Sequence, residues 1–179
     1  VEQDYEKAAY WYQQSAEQGN DDAQVCLGDL YYDGNGVEQD YEEAAYLYEQ
    51  SAEQGNVYAQ WNLGTLYEYG EGVEQDYEQA AYLYKKSAKQ EFAPAQYSLG
   101  MLYELGEGVE QDDEEACHWY LKAAKSGNSR AARALSHLYI EGINGKKNIK
   151  EAQYWADKAD KLEAINKLVT LLVGYRDKK

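Results

Sequence analysis

Histidine and cysteine are nearly absent from this chain, with two of each in 179 residues. Cys26 and Cys117 do not make the disulfide framework that small secreted domains use. They fall at different places in widely separated parts of the sequence, where helix packing at about 10 Å per layer puts them far beyond the roughly 7 Å that a disulfide can bridge. Both are expected as buried free thiols. The imidazoles, His118 and His137, do not assemble a catalytic or metal-binding group either. His118 follows Cys117 directly, and adjacent residues point about 100 degrees apart around a helix, which suits neither a thiol–base pair nor two ligands of one metal. No enzyme, metal or cofactor is expected. Basic residues are also scarce, 17 against 33 acidic ones, for a formal charge of -16. That field repels phosphate backbones and argues against nucleic acid, while favouring a basic or mixed-charge protein or peptide partner.

Long apolar runs are missing as well, since a membrane span needs about 20 such residues in a row. The stretch reads as soluble. Val1 is not an initiator methionine, so the start reads as either an artificial or a processing boundary; removal of a signal peptide fits the latter, and both export and a cytoplasmic location stay open. Hydrophobic residues make up 44% of the chain, enough for a continuous core rather than disorder.

What the chain has in abundance is self-similarity. The string V-E-Q-D begins at Val1, Val37, Val73 and Val109, always 36 residues apart, and the segments starting at Val37 and Val73 agree at 24 of 36 positions. A fifth, eroded copy keeps the phase at Gly142 and Ala152. Such a period marks a repeat architecture in which each unit buries its apolar face against its neighbours.

Each unit carries two stretches of helical periodicity. In the first, helix A, Ala59, Leu63, Gly64 and Tyr67 fall on one stripe; in the second, helix B, Ala44, Leu47, Tyr48, Ser51 and Ala52 do so. Asp40, Asp76, Asp112 and Asn148 stand before the B helices, with Glu43, Gln79, Glu115 and Glu151 three residues on, the spacing of a reciprocal capping box. G-x-G pairs such as Gly70/Gly72 end the A helices, and Gly19, Gly55 and Gly127 follow the B helices. Pro94, the only proline, lies in a first helical turn, where its missing N–H is harmless. Glycine inside helix A, at Gly28, Gly64 and Gly100, costs about 1 kcal/mol relative to alanine. Close helix crossing, against the small Ala and Ser positions of helix B, is the expected compensation, with Tyr31, Tyr67, Tyr103 and Tyr139 filling the seams.

The pattern A-Q-x-x-L-G-x-L-Y-x-x-G-x-G-V, followed by D-Y-E-x-A-x-x-x-Y, resembles the Sel1-like repeat, a relative of the tetratricopeptide repeat. The resemblance spans nearly the whole chain. It implies an all-α fold, a right-handed alpha-alpha superhelix or solenoid of 36-residue helical hairpins, used as a scaffold or adaptor for protein binding. On that frame the chain is one repeat domain. Residues 1–17 are a lone helix B, followed by repeats at 21–53, 57–89, 93–125 and 129–161 and a terminal capping helix at 162–175, with Leu171 and Tyr175 in phase with Leu99 and Tyr103. The N-terminal end, with Ala8, Trp11 and Tyr12, is expected to be uncapped, inviting a further unit or self-association.

By analogy with tetratricopeptide repeats, helix A lines a concave groove. The partner-binding candidates are Asp29 and Tyr32 in the first repeat; Tyr58, Trp61, Glu68 and Tyr69 in the second; Tyr97, Met101 and Glu104 in the third; and Arg130, Arg133 and His137 in the fourth. An acidic end, an aromatic middle and a basic end would hold an extended peptide in one direction. Helix B offers a second outward ladder, Tyr10, Tyr46, Tyr82, His118 and Tyr154. Two alternatives stand beside the groove: a structural module that assembles with itself and, more remotely, the beta-lactamase-like hydrolase activity of the cysteine-rich Sel1-like branch. The latter has no cysteine pair within any repeat to rest on.

Overall fold

The computed structural model describes residues 4–143 and 145–176, the last five of these as backbone only. Among the described residues the elements are helices, in the order α1 (Tyr5–Ala16), α2 (Asp21–Asp33), α3 (Tyr41–Glu53), α4 (Val57–Tyr69), α5 (Tyr77–Lys89), α6 (Ala93–Leu105), α7 (Asp113–Lys125), α8 (Ser129–Glu141) and α9 (Ile149–Arg176). An isolated bridge between Ile143 and Lys146 is the only β-type pairing among them. The chain divides into two compact units, Val1–Gln90 with Glu107–Val109, and Glu91–Gly106 with Glu110–Lys179. In the first, α2 pairs with α3 and α4 with α5; in the second, α6 pairs with α7 and α8 with α9. These pairs are the A/B hairpins that the periodicity predicts.

Both units use the same core chemistry. Ala44, Tyr48, Ala59, Leu63 and Leu66 are buried together in the first, and Ala116, Tyr120, Leu135, Leu138 and Trp155 in the second. Tyr31, Tyr67, Tyr103 and Tyr139 pack half-buried against these clusters. The alanines bring helix axes close, and the large side chains between them supply most of the buried apolar area. Several buried polar side chains bond across from one helix to the next. Ser51 and Ser87 donate to the carbonyls of Asp21 and Val57, and Gln60 donates to the carbonyl of Ala52 while accepting from Gln90.

The helix-A glycines have a different reason from the one expected. A Cβ on Gly28 would lie 2.6 Å from the ring of Tyr48, on Gly64 2.8 Å from Tyr84, and on Gly100 2.7 Å from Tyr120. Each glycine therefore makes room for one buried tyrosine of its own hairpin rather than for small residues of helix B. The fourth repeat loses both partners together, with Ser136 in the glycine position and Ala156 in the tyrosine position.

Helix starts also depart from expectation. Asp40, Asp76 and Asp112 cap through Oδ1, each accepting from two backbone N–H groups of the first turn. The return half of the capping box is not used. The backbone N–H groups of Asp40, Asp76, Asp112 and Asn148 instead donate to the carbonyls of Tyr31, Tyr67, Tyr103 and Tyr139 at 2.9–3.0 Å. That bond ties the start of each helix B to its own helix A.

Cys26 is only half-buried, contrary to its reading as a core thiol, whereas Cys117 is buried; both are free. From Leu162 onward the chain continues α9 without a break. The glycine and asparagine that end one helix and cap the next at Gly55 and Asn56 are replaced there by Glu163 and Ala164, both compatible with helix. Leu162 packs on the second core, but Ile165, Leu168, Val169 and Leu171 are exposed. The Tyr175 side chain lies outside the described residues.

Candidate partner-binding face

In the first unit, three of the six groove candidates, Asp29, Tyr32 and Trp61, line one cavity of about 200 Å³ together with Tyr48, Asn62, Thr65 and Leu66. Helical spacing supplies its two sides: Asp29 and Tyr32 are one turn apart on α2, and Trp61 and Thr65 one turn apart on α4. Side-chain bonds fix its geometry. Tyr48, buried on α3, donates to Asp29 Oδ1 at 2.7 Å, and Asn62 Nδ2 donates to the same oxygen at 3.1 Å. Tyr32 donates to Glu71 at 2.9 Å, and its ring lies 5.1 Å from that of Tyr41. Desolvation pushes the Asp29 carboxyl up from its usual value, and the bond from Tyr48 partly offsets this. Desolvation, with Glu71 as acceptor next in weight, pushes the Tyr32 phenol up to about 12, so it stays a proton donor at neutral pH.

Tyr58 and Tyr69, the other candidates of this unit, are exposed on α4, while Glu68 is half-buried and accepts from Tyr84. Glu68 thus serves the buried tyrosine of its own hairpin before it serves any partner. Glu104 does the same in the second unit, where Tyr120 donates to it at 2.6 Å.

The remaining candidates lie on α6 and α8. Tyr97, Arg130 and Arg133, with Ala134 and Glu163, line a second cavity of about 260 Å³. Tyr97 is half-buried with its ring 5.7 Å from that of Tyr120, and Met101 is half-buried against the same core. Arg130 and His137 are exposed. Arg133 is engaged from α9, at 2.8 Å from Asp160 and 2.9 Å from Glu163, so much of the positive charge expected at this end is already answered within the chain.

Sequence reasoning placed the lining residues on the helix-A face but missed Tyr48, Asn62 and Glu163, which orient them. One signal was available: Asp29 stands where the next two repeats have Thr65 and Met101, a carboxylate breaking an otherwise uncharged series. On the helix-B side, Tyr10, Tyr46, Tyr82 and Tyr154 are all more than half exposed. Among the described residues no group of three His, Cys, Asp or Glu side chains is arranged to hold a metal ion, and no helix is long and apolar enough to cross a membrane.

Comparison with known proteins fits this architecture. The Sel1 repeat profile matches residues 1–20, 21–56, 57–92, 93–128 and 129–159. Among solved structures, the chain is similar to c5321, a protective antigen of uropathogenic Escherichia coli strains displaying an SLR fold, at 34% identity and a TM-score of 0.85 over 90% of this chain and 34% of that one. It is also similar to a Sel1 repeat protein from Oxalobacter formigenes, at 35% identity and a TM-score of 0.82 over 88% of this chain and 62% of that one. The chain therefore spans about a third and somewhat under two thirds of these two relatives. Cysteine-rich protein B of Helicobacter pylori shares the fold at 23% identity, with a TM-score of 0.57 over 73% of this chain and 94% of that one. No curated protein sequence matches. Nine helices among the described residues, the 36-residue period and these likenesses lead to one conclusion: the chain is an all-α, solenoid-type member of the Sel1 repeat family, whose members generally serve as protein-interaction scaffolds rather than catalysts.

Proposed function

We propose that this chain is an adaptor that holds an extended segment of a partner protein against its helix-A face. The observation that carries the reading is the cavity walled by Tyr32 and Trp61, with Tyr58 and Tyr69 exposed on the same helix as Trp61. Aromatic side chains offer large contact area with few rotatable bonds, and they dominate binding energy where they sit in such pockets. Charge favours a basic partner. Residues 1–90 carry 19 acidic against 4 basic side chains, a net of -15, while residues 91–179 carry 14 against 13. A field of that size draws cationic segments to the first unit and speeds their association.

The test starts from the partner recovered with the chain from its native cell. Trp61→Ala combined with Tyr97→Ala is expected to weaken that complex by about 100-fold or more, since each aromatic anchor contributes about 2 kcal/mol or more at such sites. Far-UV circular dichroism should stay unchanged, because both side chains are only half-buried. Undiminished affinity in the double variant sinks the proposal.

A further inference from the structure

The repeated framework makes departures from the repeat informative, because a residue that changes while its surroundings persist is not explained by packing alone. The cavity on α2, α3 and α4 is such a departure. In the second unit, the equivalent positions of α6, α7 and α8 keep the buried tyrosine, Tyr120, and the leucine, Leu138. Everything that could meet a ligand is different. Asp29 becomes Met101, Tyr32 becomes Glu104, Trp61 becomes Arg133 and Asn62 becomes Ala134. There the carboxylate is taken up by Tyr120, and the aromatic wall is replaced by a cation already paired with Asp160 and Glu163.

Around α2 and α4 the arrangement is the reverse. Both hydrogen bonds to Asp29, from Tyr48 and from Asn62, end on Oδ1, so neither of them occupies Oδ2. Two aromatic rings line the same cavity as that carboxylate. Tyr32 is held in place by Glu71 and Tyr41, and Asn62 by Asp29. Those two side chains are therefore positioned before any ligand arrives, which reduces the ordering cost of binding. A carboxylate beside aromatic faces, inside a strongly negative unit, is the chemistry that recognises an organic cation: the ring quadrupoles attract it and the carboxylate supplies the counter-charge.

We propose that this cavity receives the cationic head of an arginine or lysine side chain from the partner segment, held by Asp29 Oδ2 and the faces of Trp61 and Tyr32. The assignment rests on the helix-A face being the partner-binding surface, and it names the residue type that the face selects. The cavity volume of about 200 Å³ is on the scale of a single long side chain.

The probes are acetylated and amidated Gly/Ser heptapeptides carrying one central arginine, lysine, citrulline or norleucine. They are titrated into the full chain while the Trp61 indole N–H resonance, identified by its loss in Trp61→Phe, is followed by NMR. Arginine and lysine peptides are expected to move that resonance saturably, with citrulline and norleucine at least tenfold weaker. Asp29→Asn should bring the arginine peptide down to the citrulline level, since asparagine keeps an acceptor for Tyr48 but loses the charge. Equal binding of arginine and citrulline, an unchanged affinity in Asp29→Asn, or no response of Trp61 to any of the peptides overturns the proposal. The citrulline comparison uses the unsubstituted chain, so it decides the matter even if Asp29→Asn folds poorly. Should the cationic preference be absent while Trp61→Ala with Tyr97→Ala still abolishes the native complex, the cage falls and the adaptor reading stands; failure of both removes the surface altogether.

Discussion

Alanine at position 72 is expected to cost on the order of 3 kcal/mol or more, a large fraction of the roughly 5–15 kcal/mol by which a folded domain is stable. Gly72 has φ +69°, and a Cβ there would lie 2.2 Å from the carbonyl oxygen of Tyr41 and 2.3 Å from its carbon. A left-handed conformation alone costs a non-glycine residue about 1–2 kcal/mol. The overlap adds more, because the obstructing atoms are backbone at the first turn of α3 and cannot rotate aside. Gly36 stands in the same relation to Tyr5, and Gly108 to Tyr77, so the loop after each of these A helices sits directly on the start of the preceding helix B. The control is Gly55→Ala, where φ is +98° but nothing lies within 4 Å of the added carbon. That variant should lose only the conformational part, about 1–2 kcal/mol. Urea unfolding of the two variants, followed by far-UV circular dichroism, measures the difference; similar midpoints would mean that the loop does not seat on the neighbouring helix.

Tyr120→Ala is expected to destabilise the second unit by about 3–5 kcal/mol, the range for removing a fully buried aromatic side chain. The more discriminating result concerns Gly100. In the unsubstituted chain, Gly100→Ala should be destabilising by about 1 kcal/mol, because ring displacement outweighs the gain in helix propensity. With Tyr120→Ala in place the same change should become stabilising by about 1 kcal/mol, as the obstructing ring is gone and only the propensity gain remains. A reversal of sign between backgrounds is a coupling that a double-mutant cycle reads directly. The fourth repeat already holds the compensated pair, Ser136 with Ala156. If Gly100→Ala acts with the same sign in both backgrounds, the tyrosine ring is not what keeps position 100 a glycine.

These two cases also mark how much was legible beforehand. The helical hairpins could be read because each structural position is written several times: Gly34, Gly70 and Gly106 all end an A helix in the left-handed conformation, and Asp40, Asp76 and Asp112 all cap a B helix. What a period does not reveal is which residue answers which across the hairpin. The glycine was visible, but its partner lies twenty positions on, and only the joint loss at Ser136 and Ala156 hinted at the pairing. The capping boxes were half right because tertiary structure competes for the N–H that the local motif would use. The unbroken α9 was open to prediction, since Glu163 and Ala164 replace the usual helix-ending pair.

For the candidate site, the sequence put Asp29, Tyr32 and Trp61 on the A helices but did not show what sets their electrostatics. Asp29 and Arg133 read as opposite charges offered to a ligand. One turns out to be shaped into a pocket by Tyr48 and Asn62, and the other is largely engaged by Asp160 and Glu163. Those partners come from other helices, at separations that no local pattern encodes.

The most direct measurement places a photo-crosslinking amino acid at exposed positions of the two helix types, Tyr58 and Tyr69 on helix A and Tyr46 and Tyr82 on helix B, in chains expressed in the native cell. All four side chains are more than half exposed, so accessibility does not favour either set. The adaptor account predicts a discrete crosslinked partner from positions 58 and 69 and none from 46 and 82. Crosslinks confined to 46 and 82 would move recognition to the opposite side of the hairpins and contradict it.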